Sequence, residues 1–184
     1  MAKVHFFYST MNAGKSTALL QSAHNYHETG NETILFIPRE DAEKNSGLIK
    51  SRIGLKASAV VIDSKIKIFD YVESEAAKRS IDAILIDEAQ FLKKHQVLEM
   101  CKVCDQLEIP VMCYGIRTDF RGELFEGSAA LLALADNLIE LKTVCNECSR
   151  KATMVVRLDE NSNVVTEGSK VQIGGNDVYR VLCR

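Results

Sequence analysis

A chain of 184 residues, 46% hydrophobic and 26% charged, has the make-up of a soluble globular protein with one sizeable core and room for a small appended module. Lysine and arginine total 23 against 25 acidic residues, so the net charge is −2 and no global basic field is present to hold nucleic acid. No apolar run approaches the ~18 residues of a membrane span, and the first motif begins too close to Met1 for a cleavable signal peptide, so a cytoplasmic location is expected. In that compartment the six cysteines are expected as metal ligands, core residues or nucleophiles rather than disulfides.

Residues 4–8 form an aromatic-rich apolar run too short for a helix, which predicts a buried first strand. Next comes Ser9-Thr10-Met11-Asn12-Ala13-Gly14-Lys15-Ser16-Thr17, and then a helix-like run to about Glu28, closed near Gly30. Strand, loop and helix in this order make the context of a phosphate-binding loop: backbone N–H groups face the phosphates, Lys15 reaches the β- and γ-phosphates, and the Ser16 hydroxyl ligates Mg²⁺. Ser9 stands where the pattern has its first glycine. His24 and His27 read as surface side chains of the helix.

Residues 33–37 predict a second strand, stopped by Pro38, and the polar stretch 39–51 reads as a solvated loop or a flap near the phosphates. A short strand over 59–62 and a helix over 66–79 follow, the latter with Ile66, Phe69, Val72 and Ala76 on one face. The stretch 81–91 is an apolar strand ending in Asp87-Glu88-Ala89-Gln90. An acid at the carboxyl end of a strand beside a phosphate loop meets the Mg²⁺ shell, which is the role of Asp87; Glu88 is placed to take a proton from a nucleophile attacking the γ-phosphate. Gln90 is a candidate for positioning nucleotide or neighbouring loops.

A helix over 95–107 carries Cys101 and Cys104 on its apolar stripe, and the strand 109–114 carries Cys113; all three read as core. The loop 115–125 holds Arg117, Asp119, Phe120, Arg121 and Phe125 at what should be the ligand-binding edge of the sheet, with rings that can stack on a base or pack on the loop itself. A short helix over 128–134 and a strand over 137–141 complete this part. From Cys145 the character changes: Cys145-x-x-Cys148 at a hairpin tip, a strand-like run over 151–158 and Cys183 near the end read as a structural zinc site. A fourth ligand is expected beyond Arg184. The polar, glycine-containing segment 159–177 between these ligands reads as a long loop that is either functional or disordered.

Taken together, the segments 11–17, 87–91, 114–125, 173–177 and Tyr179 resemble the type II, cellular-type thymidine kinase family, close to its bacterial members, over nearly the whole chain. The resemblance implies an α/β fold with a RecA-like P-loop parallel sheet flanked by helices over residues 1–142, and a small zinc-binding β domain carrying a lasso loop over 143–184. It implies ATP-dependent phosphorylation of the 5′-hydroxyl of thymidine, and of deoxyuridine, to give dTMP for salvage. Glu88 would be the base. ATP would be held by Ser9, Thr10, Met11, Asn12, Ala13, Gly14, Lys15, Ser16, Thr17, Asp87, Glu88, Ala89 and Gln90, with Mg²⁺ on Ser16 and Asp87. The nucleoside would meet Met11, Phe120, Phe125, Lys170, Val171, Gln172, Ile173, Gly174 and Tyr179, and zinc would sit on Cys145, Cys148 and Cys183. The resemblance also implies a homotetramer and feedback inhibition by dTTP, with neither nucleic acid nor membrane as a partner. The family's Asp-x-Arg after the second strand is matched only loosely by Asp41-Ala42-Glu43, so no phosphate role is assigned there. A P-loop ATPase acting on nucleic acid through its zinc knuckle is the competing expectation; it needs a basic track that this composition lacks. A zinc-binding interaction module with a degenerate nucleotide site is a third.

Overall fold

Six of the short apolar runs join in one parallel sheet, because the connections between them return the chain to the same edge each time. The computed structural model describes residues 1–63, 65–170 and 178–184. In chain order the elements are β1 (Val4–Ser9), α1 (Lys15–Glu28), β2 (Thr33–Pro38), α2 (Arg39–Asn45), β3 (Leu48–Lys50), β4 (Lys56–Ser58), β5 (Val60–Ile62) and α3 (Ile68–Ala76). They continue with β6 (Ala83–Ile86), a 3₁₀ turn (Ala89–Phe91), α4 (Lys94–Leu107), β7 (Val111–Ile116), α5 (Glu126–Leu134), β8 (Asn137–Glu140), β9 (Met154–Leu158), β10 (Val164–Val165) and β11 (Tyr179–Leu182).

The main sheet has six strands in the order β5-β2-β6-β7-β1-β8, and its pairings are parallel. Helices cover both faces, so β2 and β6 are buried along their whole lengths and read as continuous apolar runs. One face packs Phe6, Phe36, Ile84 and Ile86 with Ile68, Val72, Val97, Met100 and Leu131. The other packs Leu35, Ile37, Leu85 and Tyr114 with Leu19, Leu20 and Ala23 of α1. Each such side chain contributes roughly 1.5–3 kcal/mol of burial. Among the described residues no helix is long and apolar enough to cross a membrane.

Cys104 and Cys113 lie in the first core and Cys101 packs at its margin, as expected of core cysteines. Burial pushes the Cys104 thiol up to about 12 and the Cys113 thiol higher still, which keeps both protonated and unreactive. His24 and His27 are exposed on α1, as expected, and His27 Nε2 lies 2.9 Å from Thr33 Oγ1.

The stretch 39–51 departs from the expected loop. It folds as α2 and β3, and β3 pairs with β4 in a separate antiparallel hairpin. The polar composition concealed two anchors, Ala42 and Ile49, which are 5% and 1% exposed and pack into the α1-side core. Glu40 and Asp41 in the first turn of α2 also suit the positive end of a helix. The helix expected over 66–79 is shorter, and α5 begins two residues before Ser128.

Beyond β8 the chain forms a second sheet, β10-β9-β11, antiparallel throughout. The expected loop 159–177 therefore contains a strand: β10 turns back on β9, helped by Asp159, whose carboxylate accepts from the N–H groups of Asn161 and Asn163. This sheet buries Ala152, Val155 and Val181, a core too small to be stable alone without a cross-link or metal.

Candidate nucleotide and nucleoside site

β1 and β6, the strands that end in the two key motifs, are not neighbours; β7 lies between them. The phosphate loop and the acids thus approach each other across the carboxyl edge of β7, the place where open parallel sheets bind ligands. After Ser9 the loop turns through two left-handed residues, Asn12 at φ 62° and Gly14 at φ 74°, before α1 begins. This alternation directs backbone N–H groups into a concavity fit for anions. Ser9 occupies the first glycine position without strain because it ends β1 in extended conformation. Its hydroxyl accepts from Lys15 Nζ at 3.3 Å and donates to the Thr10 carbonyl at 2.7 Å. Lys15 is 7% exposed and also donates to the Thr10 carbonyl at 2.8 Å, so its ammonium is folded back over the loop. Burial lowers its pKa, and the charges of Glu88 and Asp87 oppose that shift. Thr10 is buried, and Met11, Asn12, Ala13, Ser16 and Thr17 are half-buried around the same concavity.

Asp87 closes β6 at 3% exposure. Burial and the adjacent charge of Glu88 push its carboxyl up to about 7, while hydrogen bonds from the Ser16 hydroxyl and the Glu88 N–H act in the opposite direction. Ser16 and Asp87 are therefore in contact: two hard oxygen donors, one of them a buried carboxylate lacking full compensation, beside a phosphate loop. That donor set fits a divalent cation such as Mg²⁺.

Glu88 takes a left-handed conformation, φ 48°, which turns the chain sharply out of β6. Gln90 then fixes it. The Gln90 side chain, 2% exposed, donates to Glu88 Oε2 and accepts from the Ile116 N–H at 3.1 Å. Gln90 thus positions the acid and the β7 loop. Ala89 is fully buried against α5, where Gly127 and Ser128 allow close approach; Ser128 Oγ donates to the Ile116 carbonyl at 2.6 Å.

The loop after β7 is organised by Asp119, 3% exposed, whose carboxylate accepts from the N–H groups of Arg121 and Glu123. Phe120 and Phe125 are both largely covered: Arg157 lies 3.9 Å over the Phe120 ring, and Phe125 meets Phe91 edge to face at 5.9 Å. Lys170 Nζ donates to the Leu124 carbonyl at 2.9 Å and lies 3.9–4.0 Å from the carboxylates of Glu123 and Asp119, so it ties the second sheet to this loop. Met11 and Tyr179 each pack against the small core of the second sheet, and Thr143 Oγ1 donates to the Asn12 carbonyl at 3.4 Å. A cleft between the two sheets is lined by Thr10, Arg117, Thr118, Thr153 and Val155 among others. The expected contacts of Val171, Gln172, Ile173 and Gly174 lie outside the described residues.

The cysteine knuckle forms as expected. Cys145, Cys148 and Cys183 place their sulfurs within 4.8 Å of one another, and Cys148 and Cys183 are 3.7 Å apart. Four thiolates about 2.3 Å from zinc would sit about 3.8 Å from each other, so the trio fits that ion. Hydrogen bonds from Arg150 pull the Cys148 thiol down to about 7, toward the thiolate form that zinc needs. Among the described residues the group has three members, and a fourth protein ligand is not among them.

Sequence reasoning missed Arg157, Gly127 and Ser128. Arg157 did carry a signal: it occupies the inward register of an alternating apolar strand, where a charge needs a special partner. Gly127 and Ser128 carried none, because small residues near a helix start are common for many reasons.

Sequence comparison with known proteins covers the chain nearly end to end. The thymidine kinase family model aligns with residues 2–184. The thymidine kinase of Zymomonas mobilis is 52% identical over 184 residues, covering 100% of this chain and 95% of the relative. Those of Rhodopirellula baltica and Escherichia coli K12 are each 50% identical over the whole chain, covering 87% and 89% of the relatives.

Proposed function

The chain belongs to the thymidine kinase family, and on that premise we infer that it transfers the γ-phosphoryl group of ATP to the 5′-hydroxyl of thymidine, and of deoxyuridine, giving dTMP for salvage. What carries the reading is the meeting, at one sheet edge, of a phosphate loop with two consecutive acids that have different surroundings. A base beside the Mg²⁺ acid can serve either water or an acceptor hydroxyl, and the match to thymidine kinases along the whole chain selects the hydroxyl.

In this reading the N–H groups of 11–17 cradle the triphosphate, and Lys15 exchanges the Thr10 carbonyl for phosphate oxygens. Ser16 and Asp87 are the residues that hold Mg²⁺, whose charge, when bound, offsets that of the β- and γ-phosphates. Glu88, its carboxylate held by Gln90, accepts the proton of the 5′-hydroxyl as that oxygen attacks the γ-phosphorus in line and ADP leaves. Met11, Phe120, Phe125 and Tyr179 wall the base, with residues 170–174 contributing largely backbone contacts. A three-cysteine zinc site holds together both ends of the 145–183 module and so keeps Tyr179 in place. The division at 142/143, a homotetrameric state, inhibition by dTTP in the thymidine pocket and a cytoplasmic location belong to the same reading and rest on the family resemblance. The nucleic-acid ATPase alternative gains no support: the net charge is −2 and the matched relatives are nucleoside kinases by name.

A panel of thymidine, deoxyuridine and deoxycytidine with ATP and Mg²⁺ tests the reading. Phosphorylation of thymidine is expected; turnover of deoxycytidine alone, or ATP hydrolysis indifferent to nucleoside, would overturn it.

A further inference from the structure

Arg157 stands where an apolar residue would be expected. On β9 it follows Val155 on the same buried face and is 4% exposed. Removing a guanidinium from water requires close compensation, and here the compensation is specific. Nη1 donates to the Ser169 carbonyl at 2.9 Å and Nη2 to the Glu167 carbonyl at 2.8 Å. The flat face of the same group lies 3.9 Å from the Phe120 ring centroid. Both acceptors are main-chain atoms, so the bonds specify the path of the backbone rather than a side chain. Arg157 also pairs across the strands with Val165 and with Tyr179, at the two ends of the connection between β10 and β11.

Gly168, between the two accepting residues, is shaped to this contact. Its φ is +116°, a region that side chains other than hydrogen avoid, and a Cβ there would lie 2.5 Å from Arg157 Nη2. The guanidinium therefore sits between the 167–169 backbone and the ring of Phe120, with none of these partners in the phosphate loop.

We propose that Arg157 is a positioning residue for nucleoside binding: by clamping the 167–169 backbone to the Phe120 ring, it sets the affinity for thymidine and not for ATP. The proposal rests on the thymidine kinase reading and on Phe120 as a wall of the base pocket. A lysine cannot reproduce the effect, because it offers neither a planar fork nor a stacking face.

The test compares Arg157→Lys, Arg157→Met and Gly168→Ala with the parent protein. The measurements are KM for thymidine, KM for ATP, kcat, thermal midpoint and thymidine affinity by calorimetry without ATP. Loss of one or both charge-assisted bonds predicts a rise in thymidine KM and Kd of about tenfold for lysine and about 100-fold for methionine. KM for ATP should stay within about twofold. Gly168→Ala leaves the arginine in place but crowds it, and should raise thymidine KM by about tenfold; it carries the test if Arg157→Met does not fold. Equal rises in both KM values, or an unchanged thymidine KM in Arg157→Lys and Gly168→Ala, would overturn the proposal. A parent protein that phosphorylates no thymidine would refute the function itself, whereas an active parent with unaffected variants would refute only the role of Arg157.

Discussion

Replacing Gly127 by alanine tests whether the close fit of α5 on the 3₁₀ turn holds Glu88 in place. A Cβ at this position would lie 2.4 Å from the Ala89 carbonyl oxygen, 2.8 Å from that of Leu92 and 3.0 Å from that of Gln90. Carbon–oxygen contacts rarely close below about 3.3 Å, so turn and helix must separate by about 1 Å. Three main-chain groups obstruct at once, which puts the overpacking cost near the upper end of its range, about 3 kcal/mol. Against that stands a helix-propensity gain of up to about 1 kcal/mol for alanine over glycine. The clash wins by about 2 kcal/mol, and the thermal midpoint should fall by about 4–8 °C for a chain of this size. Because the turn carries Gln90, whose side chain holds Glu88, kcat should fall about 10- to 100-fold while KM for ATP stays within about twofold. Thermal unfolding and steady-state kinetics with thymidine check both numbers. A variant with the lowered midpoint and an unchanged kcat would show that the α5 contact is structural only, and one unchanged in both would refute the steric argument.

Glu88→Gln removes the base but keeps an amide of similar shape, so kcat for thymidine should drop by about 10²- to 10⁴-fold with nucleotide affinity retained; a wild-type rate of dTMP formation would remove Glu88 from that role. Gln90→Leu leaves the Ile116 N–H without its acceptor and Glu88 without its donor, and should cost about 1–3 kcal/mol of stability along with turnover, measured by denaturant unfolding beside the kinetic assay. Cys148→Ser, or chelation of the native protein, should abolish stoichiometric zinc and raise KM for thymidine far more than KM for ATP; metal analysis paired with kinetics decides it, and full zinc occupancy in the variant would count against the three-cysteine site. The buried thiols predict an alkaline limit. The folded-state values of Cys104 and Cys113 lie above the ordinary thiol value of 9.0, so their contribution is intact below pH 9 and is lost as pH rises from 9 toward 12, where the unfolded chain releases these protons first. The unfolding free energy of Cys113→Ala should therefore decline less steeply over this window than that of the parent, by up to about 1.4 kcal/mol per pH unit; parallel slopes would refute it.

Much of the fold was legible because it is written in short, local patterns. The apolar runs that became β1, β2, β6 and β7 announced buried parallel strands, and the turn residues between them bounded the helices. The phosphate loop, the Asp87-Glu88 pair and the cysteine knuckle were equally plain, since each compresses its chemistry into a few consecutive positions. Residues 39–51 were misread because Ala42 and the Leu48-Ile49 pair are brief apolar interruptions of a polar stretch. The burial of Ala42 and Ile49 depends on α1 being there to receive them, and composition does not record what another element offers.

The sequence by itself thus determined which groups are available: a phosphate loop, two consecutive acids and a sulfur trio, all from local spacing. Only the tertiary structure decided which of them meet. It inserted β7 between β1 and β6, brought the Ser16 hydroxyl to the Asp87 carboxyl, and seated Arg157 between Phe120 and the carbonyls of Glu167 and Ser169. The physical reason is that burial and hydrogen-bond satisfaction are properties of packed neighbours far apart in the chain. A lone arginine in a strand or a glycine at a helix start acquires meaning only from what lies against it.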